Sequence, residues 1–143
     1  MVHHIHDLKP GMSASTAKTV TEADILLYAG VSTDINPAHL DEEYSKGTQF
    51  GGRIAHGMLS AGFISAVLAN QLPGPGTIYL SQTLRFKAPV RPGDTLTTTW
   101  TIVDRLNKPK HHGGICVLNG TCRNQHGEVV VEAEGKILVS STK

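Results

Sequence analysis

The sequence predicts an α+β protein in which a long, curved antiparallel sheet wraps around one buried helix. Two observations predict this arrangement. The stretch GMLSAGFISAVLANQL (57–72) has apolar residues on nearly every side of a helix, so we expect it to be buried nearly all round. From residue 77 onward the apolar period changes from 3.6 to 2, which is typical of strands. The sequence shows no strand–helix–strand alternation, which argues against a parallel doubly wound sheet.

The first half of the chain predicts one strand and two helices before the central one. SASTAKTV (13–20) has the composition of a strand. Thr21 begins a capping box with Asp24, followed by the apolar body ILLYAG, in which Gly30 fits near the C-terminal end of the helix. The run Asp41-Glu42-Glu43 has the acidic composition of the first turn of a second short helix.

The second half predicts four strands joined by short turns. PGPG (73–76) ends the central helix, and the next strand alternates apolar Ile78, Leu80, Leu84 and Phe86 with polar residues. Gly- and Pro-containing turns then separate three further strands, TLTTTWTIVDRL, ICVLNGTCRN and EVVVEAEGKILV. Strands linked in this way favour a curved antiparallel meander.

The composition is that of one ordinary domain. A chain of 143 residues with 39% hydrophobic content can form a normal core, and we expect a single domain over residues 1–143. A formal net charge of +1, with Lys and Arg scattered, argues against nucleic acid or an anionic membrane as partners. No stretch approaches the ~18 apolar residues of a membrane span. MVHHIHDLKPG at the N-terminus has no apolar run typical of a signal peptide, so we expect a cytoplasmic location.

Cysteines and histidine clusters do not indicate a metal or redox site. Cys116 and Cys122 fall on the same parity of one predicted strand, which favours two small core residues. His3, His4 and His6 near the N-terminus, and His111-His112 in a turn, lack any firm set of ligands.

The stretch STDINPAHLD (32–41) carries the side chains best suited to proton transfer. Asp34 and His39 lie five positions apart, with Asn36-Pro37 between them. Pro37 fixes its own φ and disfavours the α conformation at Asn36, so we expect a stiff loop that does not become helical. Spacing alone leaves two interpretations open: a reactive pair held by a rigid loop, or a polar turn whose histidine lies at a helix N-terminus.

Three segments together resemble a known family. YAGVSTDINPAHLD, GGRIAHGMLSAGFIS and LRFKAPVRPGDTL are similar to the R-specific enoyl-CoA hydratases among the MaoC-like dehydratases, which have the hot-dog fold. The resemblance extends from about Leu8 to Val139. Its sharpest part is an aromatic residue, here Tyr28, a few positions ahead of Asp-x-Asn-Pro-x-His. Thr33 departs from the family, in which glycine or another small residue usually precedes the aspartate, and we expect a slightly different local backbone there.

The resemblance implies both a reaction and its residues. It implies a hot-dog domain with an overhanging segment that carries the catalytic loop, and reversible hydration of trans-2-enoyl-CoA to (3R)-3-hydroxyacyl-CoA. Asp34 and His39 would activate a water for syn addition, and the backbone N–H of Gly57 would hold the thioester oxygen. Ser65 and Asn36 would contact the substrate. The resemblance implies that the reaction needs no metal and no organic cofactor. It also implies a homodimer.

Several alternatives remain open from the sequence. A dehydratase acting on acyl-carrier-protein substrates would use the same pair, and a hot-dog thioesterase or a non-catalytic acyl-CoA-binding module would share the fold. Ser65 could instead bond the preceding turn of its helix. His56 is interpreted as a structural neighbour of the site. Arg85, Lys87 and Arg91 are basic residues that the CoA phosphates could contact, and none is assigned that role.

Overall fold

A computed structural model describes residues 2–141, so the expected domain boundaries at residues 1 and 143 lie outside the described residues. Five antiparallel strands form one sheet in the order β1-β3-β4-β5-β2, and four helices accompany it. The strands are β1 (Ser13–Thr19), β2 (Ile78–Phe86), β3 (Thr95–Lys108), β4 (Gly113–Arg123) and β5 (Val129–Ser140); the helices are α1 (Glu22–Ser32), α2 (Pro37–Leu40), α3 (Glu42–Lys46) and α4 (Gly57–Asn70); short 3₁₀ turns cover Ile5–Asp7 and Pro109–His111.

The long helix α4 packs against the inner face of the sheet, as the apolar periodicities predict. On β3 the inward residues Leu96, Trp100 and Ile102 are at most 1% exposed. The Trp100 indole N–H donates to the carbonyl of Ile64 at 2.9 Å, which fixes the helix to the sheet by a buried hydrogen bond. A Cβ at Gly120 would lie 2.7 Å from the Trp100 ring, so only glycine lets the indole lie flat on β4.

The predicted four-strand meander is wrong for its first strand. β2 pairs with β5 and forms the edge of the sheet opposite β1, whereas β3 pairs with β1 and β4. The connection from Lys87 to Asp94 therefore carries the chain across the end of the sheet. Local turn signals in APVRPGD indicate that the strand ends, but strand order depends on pairing between distant residues, which periodicity does not encode.

The expectation that α4 is buried nearly all round is also wrong. Leu59, Ile64, Val67 and Leu68 face the core, but Met58 is 55% exposed. One sheet covers only one side of a helix, so the apolar residues on the far side stay uncovered in a single copy of the chain. The same holds for β2, whose Ile78, Leu80 and Phe86 are about half exposed.

Helices α1 to α3 form an overhanging segment beside the N-terminus of α4. Thr21 and Asp24 cap α1 reciprocally: the Asp24 amide donates to Thr21 Oγ1 at 3.1 Å, and the Thr21 amide donates to Asp24 Oδ2 at 2.9 Å. The predicted capping box is therefore confirmed, and so is the acidic start of α3, capped by Asp41. None of the helices among residues 2–141 is long and apolar enough to cross a membrane.

Pro37 begins a helix, which corrects the expectation of a loop. Asn36 has φ −54° and ψ 132°, outside the α region as expected, but Pro37 takes the first position of α2. Proline suits that position because its missing N–H has no intrahelical partner to lose. The Ala38 amide donates to Asn36 Oδ1 at 2.9 Å, which caps this single turn.

Candidate active site

The backbone around Asp34 is fixed by hydrogen bonds from three directions. The Asp34 amide donates to Ser32 Oγ at 3.1 Å, and that hydroxyl donates to the Tyr28 carbonyl at 2.7 Å. The Asn36 amide donates to Asp34 Oδ1 at 3.3 Å. The His56 ring Nε2–H donates to the Asp34 carbonyl at 2.8 Å. Asp34 is exposed to solvent, and these hydrogen bonds hold its backbone in place.

Thr33 adopts the backbone conformation that glycine favours. Its φ is 65° and its ψ is 10°, the left-handed region, and its amide closes α1 by donating to the Ala29 carbonyl at 3.0 Å. The expected difference from the family's backbone at this position stays a prediction. Threonine takes the left-handed turn despite its β-branched side chain, so Asp34 keeps its position directly after the helix.

Helix α2 carries His39 and is anchored by two neighbouring segments. The Ser45 hydroxyl donates to the carbonyls of Pro37 and Ala38, each at 3.2 Å. The Ile54 amide donates to the Ala38 carbonyl at 3.1 Å. The His39 ring Nδ1–H donates to the Ile54 carbonyl at 2.8 Å. These contacts fix both the position of the helix and the rotation of the imidazole.

The hydrogen bond at Nδ1 selects the tautomer of His39. A carbonyl oxygen only accepts, so Nδ1 carries the proton, and in the neutral ring Nε2 is the nitrogen that can take one. Asp34, His39 and His56 each place one carboxylate oxygen or ring nitrogen within 4.8 Å of the others. A water at ordinary hydrogen-bond distance from Asp34 and His39 fits between groups so spaced.

Gly57 begins α4, and its face of the helix opens onto an apolar cavity of about 290 Å³. The N–H of a first helical residue has no intrahelical acceptor and lies at the positive end of the helix dipole. A Cβ at Gly57 would lie 3.1 Å from the Phe86 ring, so a side chain here would crowd this wall. Ser60, Lys87 and Val131 also line the cavity.

Asn36 and Ser65 differ in how close they lie to this cluster. Asn36 lies between the two reactive residues and uses its side-chain oxygen to cap α2. The Ser65 hydroxyl donates to the Gly62 carbonyl at 2.8 Å, so it bonds the preceding turn. Ser65 lines a separate cavity of about 250 Å³ together with Leu68 and Tyr79. The structure therefore does not bring Ser65 to Asp34 and His39.

Two further residues hold this site together: His56, which the sequence indicated only as a structural neighbour of the site, and Arg53, which sequence reasoning missed. His56 is 1% exposed and stacks on His39, with ring centroids 3.9 Å apart. Arg53 bonds Glu22 on α1 at 2.6 Å and Glu42 on α3 at 3.2 Å, and this hydrogen bond with Arg53 lowers the pKa of the Glu22 carboxyl. For His56 the sequence offered one signal, its position directly before Gly57 at the start of α4. For Arg53 it offered none, because its contacts join segments that are distant in the sequence.

The three basic residues considered as contacts for the CoA phosphates differ in their partners. Arg85 pairs with Glu132 at 3.2 Å, and Arg91 donates to the Phe50 carbonyl at 2.6 Å. Lys87 is exposed and lines the cavity beside Gly57. Lys87 is therefore the best placed of the three to meet an anionic substrate at this cavity.

Asp34, His39 and His56 include the donor types that a metal ion uses, but much of their capacity is already engaged. One nitrogen of each histidine is bonded to a backbone carbonyl at 2.8 Å. One carboxylate oxygen or ring nitrogen of each residue lies within 4.8 Å of the others. A metal ion would need ligand atoms at bond lengths of ~2.0–2.1 Å, and the histidine nitrogens bonded to carbonyls are not free to supply them. The absence of a metal requirement stays a prediction, which loss of activity in a chelator would contradict.

Comparison with known proteins gives one consistent family. The model described as "MaoC like domain" matches residues 7–120. The chain is 52% identical to the (R)-specific enoyl-CoA hydratase of Rhodospirillum rubrum over 97% of this chain and 93% of that protein. It is 34% identical to the mitochondrial 3-hydroxyacyl-[acyl-carrier-protein] dehydratase FERN of Solanum lycopersicum, over 94% of this chain and 79% of that protein.

Solved structures agree with this result. The unliganded R-hydratase PhaJ1 of Pseudomonas aeruginosa superimposes with a TM-score of 0.89 at 42% identity, covering 97% of this chain and 86% of that one. Likeness at this level confirms the hot-dog architecture that the resemblance implied, with a curved sheet around one helix.

Proposed function

The chain belongs to the MaoC-like dehydratase family, and on that premise we propose that it is an R-specific enoyl-CoA hydratase. The reaction is the reversible hydration of trans-2-enoyl-CoA to (3R)-3-hydroxyacyl-CoA. The observation that carries the proposal is the convergence of Asp34 and His39, on a fixed backbone, beside the first turn of α4. Relatives over nearly the whole chain carry the same activity in their names.

Hydration needs a base for water, a proton for C2 and a donor for the thioester oxygen. In the proposed reaction a water lies between Asp34 and His39. Its oxygen bonds C3 as the electrons of the C2–C3 double bond move toward the thioester carbonyl. A proton returns from the same pair to C2 on the same face, which gives syn addition. The exposed carboxylate and the bare Nε2 of His39 support this assignment, and the two roles stay undivided between them.

Gly57 is the proposed donor for the negative charge that develops on the thioester oxygen. Its backbone N–H combines a missing intrahelical partner with the positive end of the 14-residue helix α4. The adjoining cavity is lined mainly by apolar side chains, which would exclude water from that charge. Asn36 and Ser65 remain proposed substrate contacts, Asn36 through the catalytic loop and Ser65 through the second cavity.

The test follows the loss of enoyl absorbance with crotonyl-CoA and the chirality of the product. We expect (3R)-3-hydroxybutyryl-CoA from the wild-type protein. Asp34→Asn and His39→Ala should each lower kcat/KM by at least ~100-fold, because general acid–base catalysis contributes about that much or more. Asp104→Asn, an exposed aspartate on β3, is the matched control and should keep full activity. Full activity in either site variant rules out the pair.

An acyl-carrier-protein dehydratase is the second candidate, favoured by the tomato relative. Such a dehydratase would use the same site residues as an enoyl-CoA hydratase. The two activities differ only in whether the acyl group is carried by CoA or by acyl-carrier protein. The measurement is kcat/KM for crotonyl-CoA against crotonyl-acyl-carrier protein. A strong preference for the protein-bound substrate would replace CoA in the proposal and leave the chemistry unchanged.

We also propose a homodimer in which the β2 edge of the sheet meets a second copy. Ile78 is 59% exposed and Phe86 is 51% exposed on this edge strand, and Phe86 packs beside Gly57. A long apolar edge strand is a template for pairing with another chain. Light scattering should give twice the chain mass at micromolar concentration, and Ile78→Lys should lower it. Leu106→Lys on β3, 44% exposed, is the control. A wild-type monomer would contradict the dimer.

A further inference from the structure

His56 is a buried histidine that the reaction proposed above does not use. It directly precedes α4, is 1% exposed, and its Nδ1 has no hydrogen-bond partner among the described residues. Burying a polar ring without satisfying both nitrogens is unfavourable, so packing alone does not account for it. A phenylalanine or leucine would fill the same volume without that cost.

The side-chain hydrogen bond and the ring contacts of His56 join it to the segments that carry the candidate site. Its Nε2–H donates to the carbonyl of Asp34 at 2.8 Å. Its ring stacks on His39 at 3.9 Å between centroids with a 30° interplanar angle, and it meets the Tyr28 ring at 4.8 Å. One imidazole therefore touches both proposed catalytic residues, one through the backbone and the other through the ring.

We propose that His56 is a positioning residue that sets the separation of Asp34 and His39. The bond to the Asp34 carbonyl fixes the turn between α1 and α2, and the stacking fixes the plane of the His39 imidazole. The expected effect on kcat rests on the proposed hydratase function. The expected effect on the backbone of residues 34–39 does not. Neither His56 nitrogen is required to transfer a proton, which separates its role from that of His39.

The bonding also selects the tautomer of His56. The Asp34 carbonyl only accepts, so Nε2 carries the hydrogen and the neutral ring leaves Nδ1 bare. Among the described residues, Asp34 and the Tyr28 ring also lie near His56, Tyr28 on α1 and Asp34 in the loop that follows it.

Two substitutions separate the donor from the ring. His56→Phe keeps an aromatic ring for stacking and removes the N–H. His56→Gln removes the ring but places an amide N–H near the position of Nε2. His111→Phe, at an exposed histidine in a 3₁₀ turn, is the matched control. Each variant is assayed for kcat and KM with crotonyl-CoA, for melting temperature, and for amide hydrogen exchange over residues 34–39.

We expect His56→Phe to lower kcat about 10- to 100-fold with KM changed less than about threefold, since a small misplacement of reacting groups costs rate more than binding. Exchange over residues 34–39 should rise, because the tie to the Asp34 carbonyl is lost. His56→Gln should recover most of kcat and protection. A His56→Phe protein with wild-type kcat and exchange would overturn the proposal.

If His56→Phe fails to fold, His56→Gln decides the matter. A folded His56→Gln protein with kcat as low as His39→Ala and unprotected amides at 34–39 would overturn the positioning role of the donor. The exchange readout also separates this inference from the proposed function. A wild-type protein without hydratase activity contradicts the function, while the exchange pattern still tests whether His56 holds the loop.

Discussion

At Thr33 the chain turns from α1 into the candidate site. This residue lies in the left-handed region at φ 65°, where the Cβ of an L-residue is crowded by its own backbone. Its amide closes α1, and Asp34 follows immediately with its carboxylate exposed. The backbone at this point is set by helix termination, so the side chain of residue 33 is tolerated there and does not direct the turn.

Replacing Thr33 with glycine should therefore stabilise the protein. The substitution removes the cost of the left-handed conformation, about 1–2 kcal/mol. The larger entropy that glycine loses on folding, ~0.5–1 kcal/mol, offsets part of that stabilisation. We expect the free energy of unfolding to rise by about 0.5–1 kcal/mol in urea denaturation. Thr97→Gly, at an exposed residue inside β3, is the control and should destabilise. A loss of stability in Thr33→Gly would show that the hydroxyl or methyl group contributes more than the backbone strain.

At the scale of elements, the site depends on short helices that could not persist alone. Helices α2 and α3 have four and five residues, too few for intrinsic helical stability. Arg53, from the segment leading into α4, joins α1 to α3 through Glu22 and Glu42. It also donates to the His39 carbonyl at 3.4 Å. The overhanging segment is thus held by one guanidinium in addition to the capping bonds.

The Arg53 network should give the overhanging segment a pH-dependent stability. The hydrogen bond with Arg53 lowers the pKa of Glu22 from 4.5, so its contribution is present above that value and is lost as pH falls through the lowered, folded-state pKa. Arg53→Gln should lower the melting temperature by a few degrees at neutral pH and by less near pH ~3.5. Thermal denaturation at both pH values measures this.

The control for that experiment is Lys46→Gln, which removes an exposed pair with Glu43 on α3 alone. It should change the melting temperature little at either pH, because exposed pairs contribute about 0–1 kcal/mol. An equal loss for Arg53→Gln at both pH values would mean that packing of the arginine, and not its charge, holds the helices together.

At the scale of the whole molecule, the sheet and α4 enclose a core that excludes both thiols from water. Cys116 and Cys122 lie on the inner face of β4 and are fully buried. The prediction that they are small core residues on one face is confirmed. Burial raises the pKa of Cys116 to about 11 and also raises the pKa of Cys122. Neither favours the thiolate that reacts with electrophiles.

The folded protein should therefore resist thiol reagents. At pH ~8 we expect reaction with Ellman's reagent at least ~100-fold slower than for an exposed cysteine, because both access and thiolate fraction are low. Both thiols should react promptly in urea. Asn119→Cys places a thiol on the opposite, exposed face of β4 and should react at once in the folded state. Rapid labelling of the native wild type would indicate frequent opening of the core.

The sequence by itself determined the features that depend on neighbouring residues. The change of apolar period, the capping box at Thr21 and the helix start at Gly57 follow from local steric and hydrogen-bonding rules, and the structure confirms each. The spacing of Asp34 and His39 was also visible in the sequence. The family resemblance favoured the interpretation as a reactive pair over that of a simple polar turn. Asn36-Pro37 was expected to form a loop and instead begins α2. The fixed φ of proline is compatible with a loop and with the first position of a helix, so the sequence did not distinguish the two.

Only the tertiary structure decided what depends on distant contacts. Strand pairing places β2 at the edge, and this leaves Phe86 exposed beside Gly57. The stacking of His56 on His39 joins residues 17 positions apart, and the bond from His56 to the Asp34 carbonyl spans 22. Such contacts arise from the way the overhanging segment packs on α4, so no periodicity in the sequence could reveal them. The reactive residues are local in sequence, whereas the groups that hold them in place are not.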